Sequence, residues 1–283
     1  MAEPEQGSSG LRLGGMALRN GLLVHGPTSW AIAVRNSAGE VEVASGAKPT
    51  LARGRLGTIP VLRGPLRLGE ALLVIPLARV RLPAARLPLE DVRVVLAALA
   101  ATAASAVARK LARGSATRET AIALIGMLPA LAALRDRDLA AYHGAEHKAI
   151  GAYESGGPAA DEPKEHKRCG SNLIGPLLAF SVAGQVIVEG VLERPNSIAR
   201  GAASLASTGA AVEVFAYAER NPEAVISKAV HGTGYEIQRL ISTREPTAEQ
   251  LEVGEAAVRE LLRVEAPPAD SDEEGSPVGV APV

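Results

Sequence analysis

The chain has 283 residues, enough for one large domain or two small ones with a real core. Its 30 basic and 31 acidic side chains leave a formal charge of −1, and aromatic residues make up only 2%. No global field therefore recruits nucleic acid, and the usual base-stacking platforms are excluded; no nucleic-acid partner is expected. Cys169 is the sole cysteine, which excludes an intramolecular disulfide and suits a reducing compartment.

Taken in chain order, residues 1–10 are polar and glycine-rich, lack the apolar stretch of a secretory signal, and are expected to be disordered. Residues 11–90 read as an N-terminal α+β region. Trp30–Arg35 and Glu40–Val43 are strand-like, and Asn36–Gly39 between them has turn composition, which predicts a β-hairpin. Gly14-Gly15 and Arg63-Gly64 read as turn positions, His25 as a strand or turn residue, and Pro60–Ile75 as helical.

Residues 91–220 form a helical region of different character. Val94–Ala108 and Thr120–Leu134 carry no charge, Cys169–Val188 runs 20 residues uncharged, and Gly201–Ala218 is broken only by Glu213. A bilayer core takes about 20 helical residues, so the third run meets the length cleanly and the others need tilt or shelter. Hydrophobic residues reach 47% of the chain with a mean hydropathy of +0.13, much of it alanine, which a buried soluble bundle would share. Arginine and lysine lie on both sides of a simple hairpin of these runs, so loop charge sets no orientation. Residues 221–265 form a C-terminal helical region, in which Thr247 and Gln250 mark a capping box ahead of Leu251, Val258, Leu261 and Leu262. His231 reads as a loop residue. The tail, 266–283, is expected to be disordered.

The chemistry concentrates in Tyr142–Lys148. His143 and His147 are i and i+4 on a helix that Asp138 can cap and Ser155-Gly156-Gly157 can end. Both imidazoles leave one face a turn apart, the arrangement by which two histidines share an ion. The order H-x-x-E-H is the inverted zincin pattern, with Glu146 placed to take a proton from water. His166 and Cys169 supply further ligands across a Gly/Pro-rich loop. Three of five histidines and the only cysteine thus fall within 27 residues. Nitrogen and sulfur donors favour zinc, or another divalent transition metal. If His143, His147, His166 and Cys169 all ligate, the site is closed and structural; if one only orients, an open position lets Glu146 act as the catalytic base. Glu154 projects within about 20° of His143 but roughly 10 Å along the axis from His147, so it stands behind the ligands or serves a neighbouring ion. Glu213, alone among apolar residues, requires a partner and is a further supporting carboxylate.

Four stretches carry a likeness: Gly14–Gly21 with Trp30–Arg35, Leu62-Arg63-Gly64, Tyr142–Lys148 with Tyr153-Glu154 and His166–Gly170, and Ser242–Pro246 with Gln250–Val253. They resemble the YqhQ-like family (domain of unknown function 1385), bacterial and plastid proteins described as predicted metal-dependent membrane enzymes. The resemblance implies several membrane-spanning helices around the central motif, a multi-pass protein of the bacterial cytoplasmic membrane, and metal dependence at His143, Glu146, His147, His166 and Cys169. It supplies no substrate. Asn20 stands where the family signature usually has glutamate, and His25 where it usually has arginine.

The expected fold is therefore α+β, a β-containing N-terminal region plus a helical, membrane-embedded bundle carrying the HxxEH helix. The preferred function is a zinc-dependent membrane hydrolase acting on a peptide, amide or lipid-linked ester. The alternatives are a non-catalytic membrane regulator or assembly factor with a structural zinc, and a soluble metal-binding α+β protein.

Overall fold

The computed structural model describes residues 10–51, 54–111, 116–192 and 195–266. The expectations of disorder for 1–10 and 266–283 fall, but for Gly10 and Ala266, outside the described residues.

An antiparallel sheet opens the fold, with β1 (Gly14–Leu18), β2 (Gly21–His25), β3 (Ser29–Arg35) and β4 (Val41–Ala47) in that spatial order. The expected hairpin is β3–β4. Its turn is held by the Asn36 side chain, whose Oδ1 accepts from the amides of Ala38 and Glu40, and by Gly39 at φ 87°. Gly14 and Gly15 lie within β1 and are not turn residues. Two glycines in an edge strand give no alternation for a periodicity argument to detect. Asn20 anchors the β1–β2 turn: its amide donates to the carbonyls of Arg35 and Ala84, and its Oδ1 accepts from Arg86 N–H.

Because strand side chains alternate, the sheet has two apolar faces. Leu22, Val24, Ala31 and Ala33 point one way; Leu23, Trp30, Ile32 and Val34 point the other. The second face is covered by α1 (Arg63–Arg81) through Val74 and Ala78. This helix starts three residues later than the composition suggested and continues through Pro76. The first face receives α5 (Arg137–Ser155) and α9 (Ala248–Glu265). Thr247 and Gln250 do form the capping box of α9, and Val253, Ala257, Val258 and Leu261 are its buried stripe.

Between these elements lie α2 (Val92–Leu111), α3 (Ala116–Ile125), α4 (Leu128–Ala133), α6 (Ile174–Val191), α7 (Ser197–Arg220) and α8 (Val225–Ile237). Three stretches are long and apolar enough to cross a membrane: Val92–Lys110 (19 residues, mean hydropathy 1.6), Ala116–Ala133 (18 residues, 1.2) and Gly170–Val191 (22 residues, 1.6). The second is α3 and α4 in series, turned at Gly126-Met127. At most 17% of any of these stretches is buried within the protein, so their apolar surface faces outward, as lipid-facing helices require and a soluble core does not. The α6–α7 pair is joined by small residues and polar bonds: Gly184 faces Ser207, whose hydroxyl donates to the Phe180 carbonyl at 2.8 Å. His231 is in α8, not a loop.

Candidate metal centre

Helix α5 positions the central motif. Its N-cap is Asp136, not Asp138: the Asp136 carboxylate accepts from the amides of Asp138 and Leu139 and also pairs with Arg19 at 2.8 Å. Asp138 occupies the first turn, where it suits the helix dipole. Gly156, at φ 74°, ends the helix as expected.

His143 and His147 project from one face of α5, with ring centroids 4.5 Å apart. Each Nδ1 lies against a backbone carbonyl, His143 on Ser242 at 2.8 Å and His147 on Lys164 at 2.6 Å. A carbonyl only accepts, so both Nδ1 atoms carry the proton and both Nε2 atoms present a lone pair. Those lone pairs converge with the Cys169 thiol. His143 Nε2 is 3.5 Å from Cys169 Sγ, and one donor atom from each of the three residues lies within 4.8 Å of the others. His147 Nε2 is buried and has no hydrogen-bond partner among the described residues. Burial lowers the pKa of its imidazole and the neighbouring His143 adds to this, against the opposing pull of Cys169 and the Lys164 carbonyl; the lowering favours the neutral form that a ligand requires. The Ser171 amide donates to Cys169 Sγ at 3.5 Å, which suits a thiolate. The donor set, two imidazole nitrogens and one sulfur on carbonyl-fixed tautomers, fits zinc.

The other expected residues divide. Glu146 is fully enclosed, against Gly15 of β1, where even an added Cβ would stand 2.7 Å from Oε1. Burial raises its carboxyl above the usual carboxylate range, while His143 and His166 pull it the other way. The ring of His166 lies 5.7 Å from that of His147, but His166 Nε2 is 3.2 Å from Glu154 Oε2 and its Nδ1 accepts from the Arg168 amide. It stands outside the three-residue grouping. Burial alone would raise the carboxyl of Glu154, but His166 and Arg168 together hold it down. Glu213 is remote: Arg63 Nε donates to it at 2.7 Å, supplying the partner its apolar surroundings demanded. Asn20, bound at its turn, does not line the centre.

Several residues around the centre were assigned no role from the sequence. A π-helical turn, Gln238–Ser242, delivers the Ser242 carbonyl to His143. Buried Gln238 clamps His166 through both its amide and its carbonyl. Lys148, on the far side of α5, ties the helix to the Ala160 carbonyl and Glu245.

A cavity of about 520 Å³ opens beside the cluster. His143, Glu146, His147, His166 and Cys169 line its polar end, while Leu13, Met16, Leu68, Ala71, Ala130 and Leu134 line an apolar remainder that reaches α1 and α4.

Fold and site together define an α+β protein with membrane-length helices and a His/Cys grouping that can hold a metal ion. The chain belongs to the DUF1385 family of proteins of unknown function, whose profile matches residues 93–264. The matched stretch includes the central and C-terminal blocks of the likeness described above. No curated protein and no solved structure matches the chain.

Proposed function

We propose that the protein is a membrane-bound, zinc-dependent hydrolase. In this reading His143, His147 and Cys169 hold the ion, and Glu146 is the proton-transferring residue. The observation that supports it most directly is the buried Nε2 of His147, without a hydrogen-bond partner among the described residues, in a grouping with His143 and Cys169 whose ligand atoms lie within 4.8 Å of one another. An unpaired buried nitrogen costs stability unless something pairs with it. Zinc bound with three protein ligands keeps a position open, lowers the pKa of water there to near 7 and polarises a carbonyl.

The chain's own groups supply the rest. Ser242 and Lys164 hold both imidazoles in the ligating tautomer. Glu146 lies on the cavity wall one residue before His147, where it can accept a proton from the attacking water and return it to the leaving group. The apolar remainder of the cavity excludes bulk water and admits substrate from the side of the long apolar helices. Three such helices support multi-pass insertion.

The test is elemental analysis of detergent-purified protein beside a hydrolase screen. Near-stoichiometric zinc is expected, lost in His147→Ala and kept in Glu146→Gln, with turnover lost in both. Absence of metal from wild type purified without chelators overturns the reading. The alternative, a structural zinc in a non-catalytic assembly factor, draws on the nearness of His166. It predicts that His166→Ala loses zinc, whereas three-residue ligation predicts that zinc stays.

A further inference from the structure

The cavity beside the cluster runs along β1, and its wall includes Gly14, Gly15, Met16 and Ala17. β1 is an edge strand, with β2 on one side and, among the described residues, no strand on the other. The register fixes which of its backbone groups face outward. Asn20 O accepts from Arg35 N, and Gly26 N donates to Ser29 O, so even-numbered residues of this segment bond toward β3. Gly21, Leu23 and His25 therefore bond toward β1, where their partners are Leu18, Met16 and Gly14. The amides and carbonyls of Gly15 and Ala17 are left facing the cavity, and no hydrogen bond to them is present among the described residues. An unpaired edge inside a cavity is costly and is a template for a further strand.

We propose that this edge is the substrate platform, and that the substrate is an extended, apolar stretch of polypeptide that joins the sheet beside β1. The inference rests on the hydrolase reading and narrows its substrate class. Gly15 carries the argument twice. Its outward amide and carbonyl offer a pair of strand bonds, and its missing side chain leaves Glu146 immediately beneath the backbone that would lie there. A peptide pairing with Gly15 and Ala17 sets a scissile amide within reach of Glu146, while its side chains enter the apolar part of the cavity. The amide C–N bond breaks, water giving its hydroxyl to the carbonyl carbon and its proton, through Glu146, to the departing amine. An acyl chain would fill the same apolar volume but leave four backbone groups of Gly15 and Ala17 unpaired, so the edge favours peptide over lipid.

The test uses the full-length Glu146→Gln protein, purified without chelators into lipid nanodiscs, with fluorescein-labelled apolar nonapeptides read by fluorescence anisotropy. Backbone N-methylation is moved one residue at a time along the tightest binder. The expected result is a period of two: methyl groups at alternate residues weaken binding about tenfold, and those between are tolerated. Ala17→Pro, which removes an outward N–H while sparing the β1–β2 ladder, weakens every peptide. If that variant does not fold, the methyl scan decides alone. No binding by any peptide, equal weakening at every position, or displacement by monopalmitoyl glycerol as effective as by unlabelled peptide overturns the proposal. Zinc content of the same samples separates the two readings. Zinc without the alternation sinks the strand platform only; alternation without zinc sinks the hydrolase and leaves the platform standing.

Discussion

At the scale of single residues, the centre depends on groups with no metal-binding chemistry of their own. Gly15 is one. A Cβ there would stand within 2.9 Å of Oε1, Cδ and Cγ of Glu146, so Gly15→Ala forces the whole Glu146 side chain out of place. The expected outcome is protein that folds and holds zinc as wild type does but turns over about a hundredfold more slowly, the usual weight of one acid–base group; equal turnover would separate Glu146 from the chemistry. His25 lines the same cavity. Burial, with Lys48 Nζ 3.3 Å from its Nδ1, lowers its pKa to about 4. Lys48 is in turn influenced by Glu70, Glu265 and Arg67. Since the unfolded imidazole titrates near 6.5, the unfolded chain takes up the proton first as pH falls. Stability present above pH 6.5 is therefore lost between 6.5 and 4, by up to about 3 kcal/mol. Thermal melts across that window should steepen with acid in wild type and flatten in His25→Asn.

Among the elements, α5 and the segment 242–246 act as one unit. The Arg244 amide donates to the Ala140 carbonyl at 2.9 Å, and a Cβ on Gly144 would overlap the Arg244 carbonyl oxygen. That obstacle is backbone and cannot rotate away. Gly144→Ala should lift the segment, withdraw the Ser242 carbonyl from His143 and weaken zinc affinity about ten- to a hundredfold, the cost of losing such a support, as competition with a chelator would measure. How far these elements could be read from sequence followed the range of the interactions that make them. The β3–β4 hairpin, the end of α5 and the cap of α9 depend on neighbours within four residues, and turn residues or a capping box announced them. Helical spacing brought His143 and His147 together and the loop offered both His166 and Cys169, but the sequence left open which of the two joins them; the structure groups Cys169 with the pair. The shift of the α5 cap to Asp136 was not, since Asp136 and Asp138 both suit the role and Arg19, remote in sequence, sits beside the former. Nor was the engagement of His166 with Glu154, or the π-turn that holds it through Gln238, because both depend on contacts across many residues.

Over the whole molecule, one ionic set ties four helices of the bundle together. Arg118 and Glu119, at the start of α3, meet Glu189 near the end of α6. Arg109, from the end of α2, reaches Glu119 at 3.2 Å, and Arg200, from the start of α7, reaches Glu189 at 2.8 Å. Removing one member of a buried ionic set is costlier than the set is stabilising. Glu189→Ala should destabilise the detergent-solubilised protein by about 3 kcal/mol, seen as a lower melting temperature with zinc affinity unchanged. The sheet was expected beside a membrane bundle, but the share of its core supplied by α9 has a consequence of its own. Glu265, at the last turn of α9, binds the amides of Thr28 and Ser29 and the Thr28 hydroxyl in the turn between β2 and β3. The N-terminal sheet and the last described helix thus close on one another, with the three membrane-length stretches between them in the chain. α9 follows the sheet and all three membrane-length stretches along the chain, so the part of the sheet's first face that α9 covers stays open until those stretches have been made.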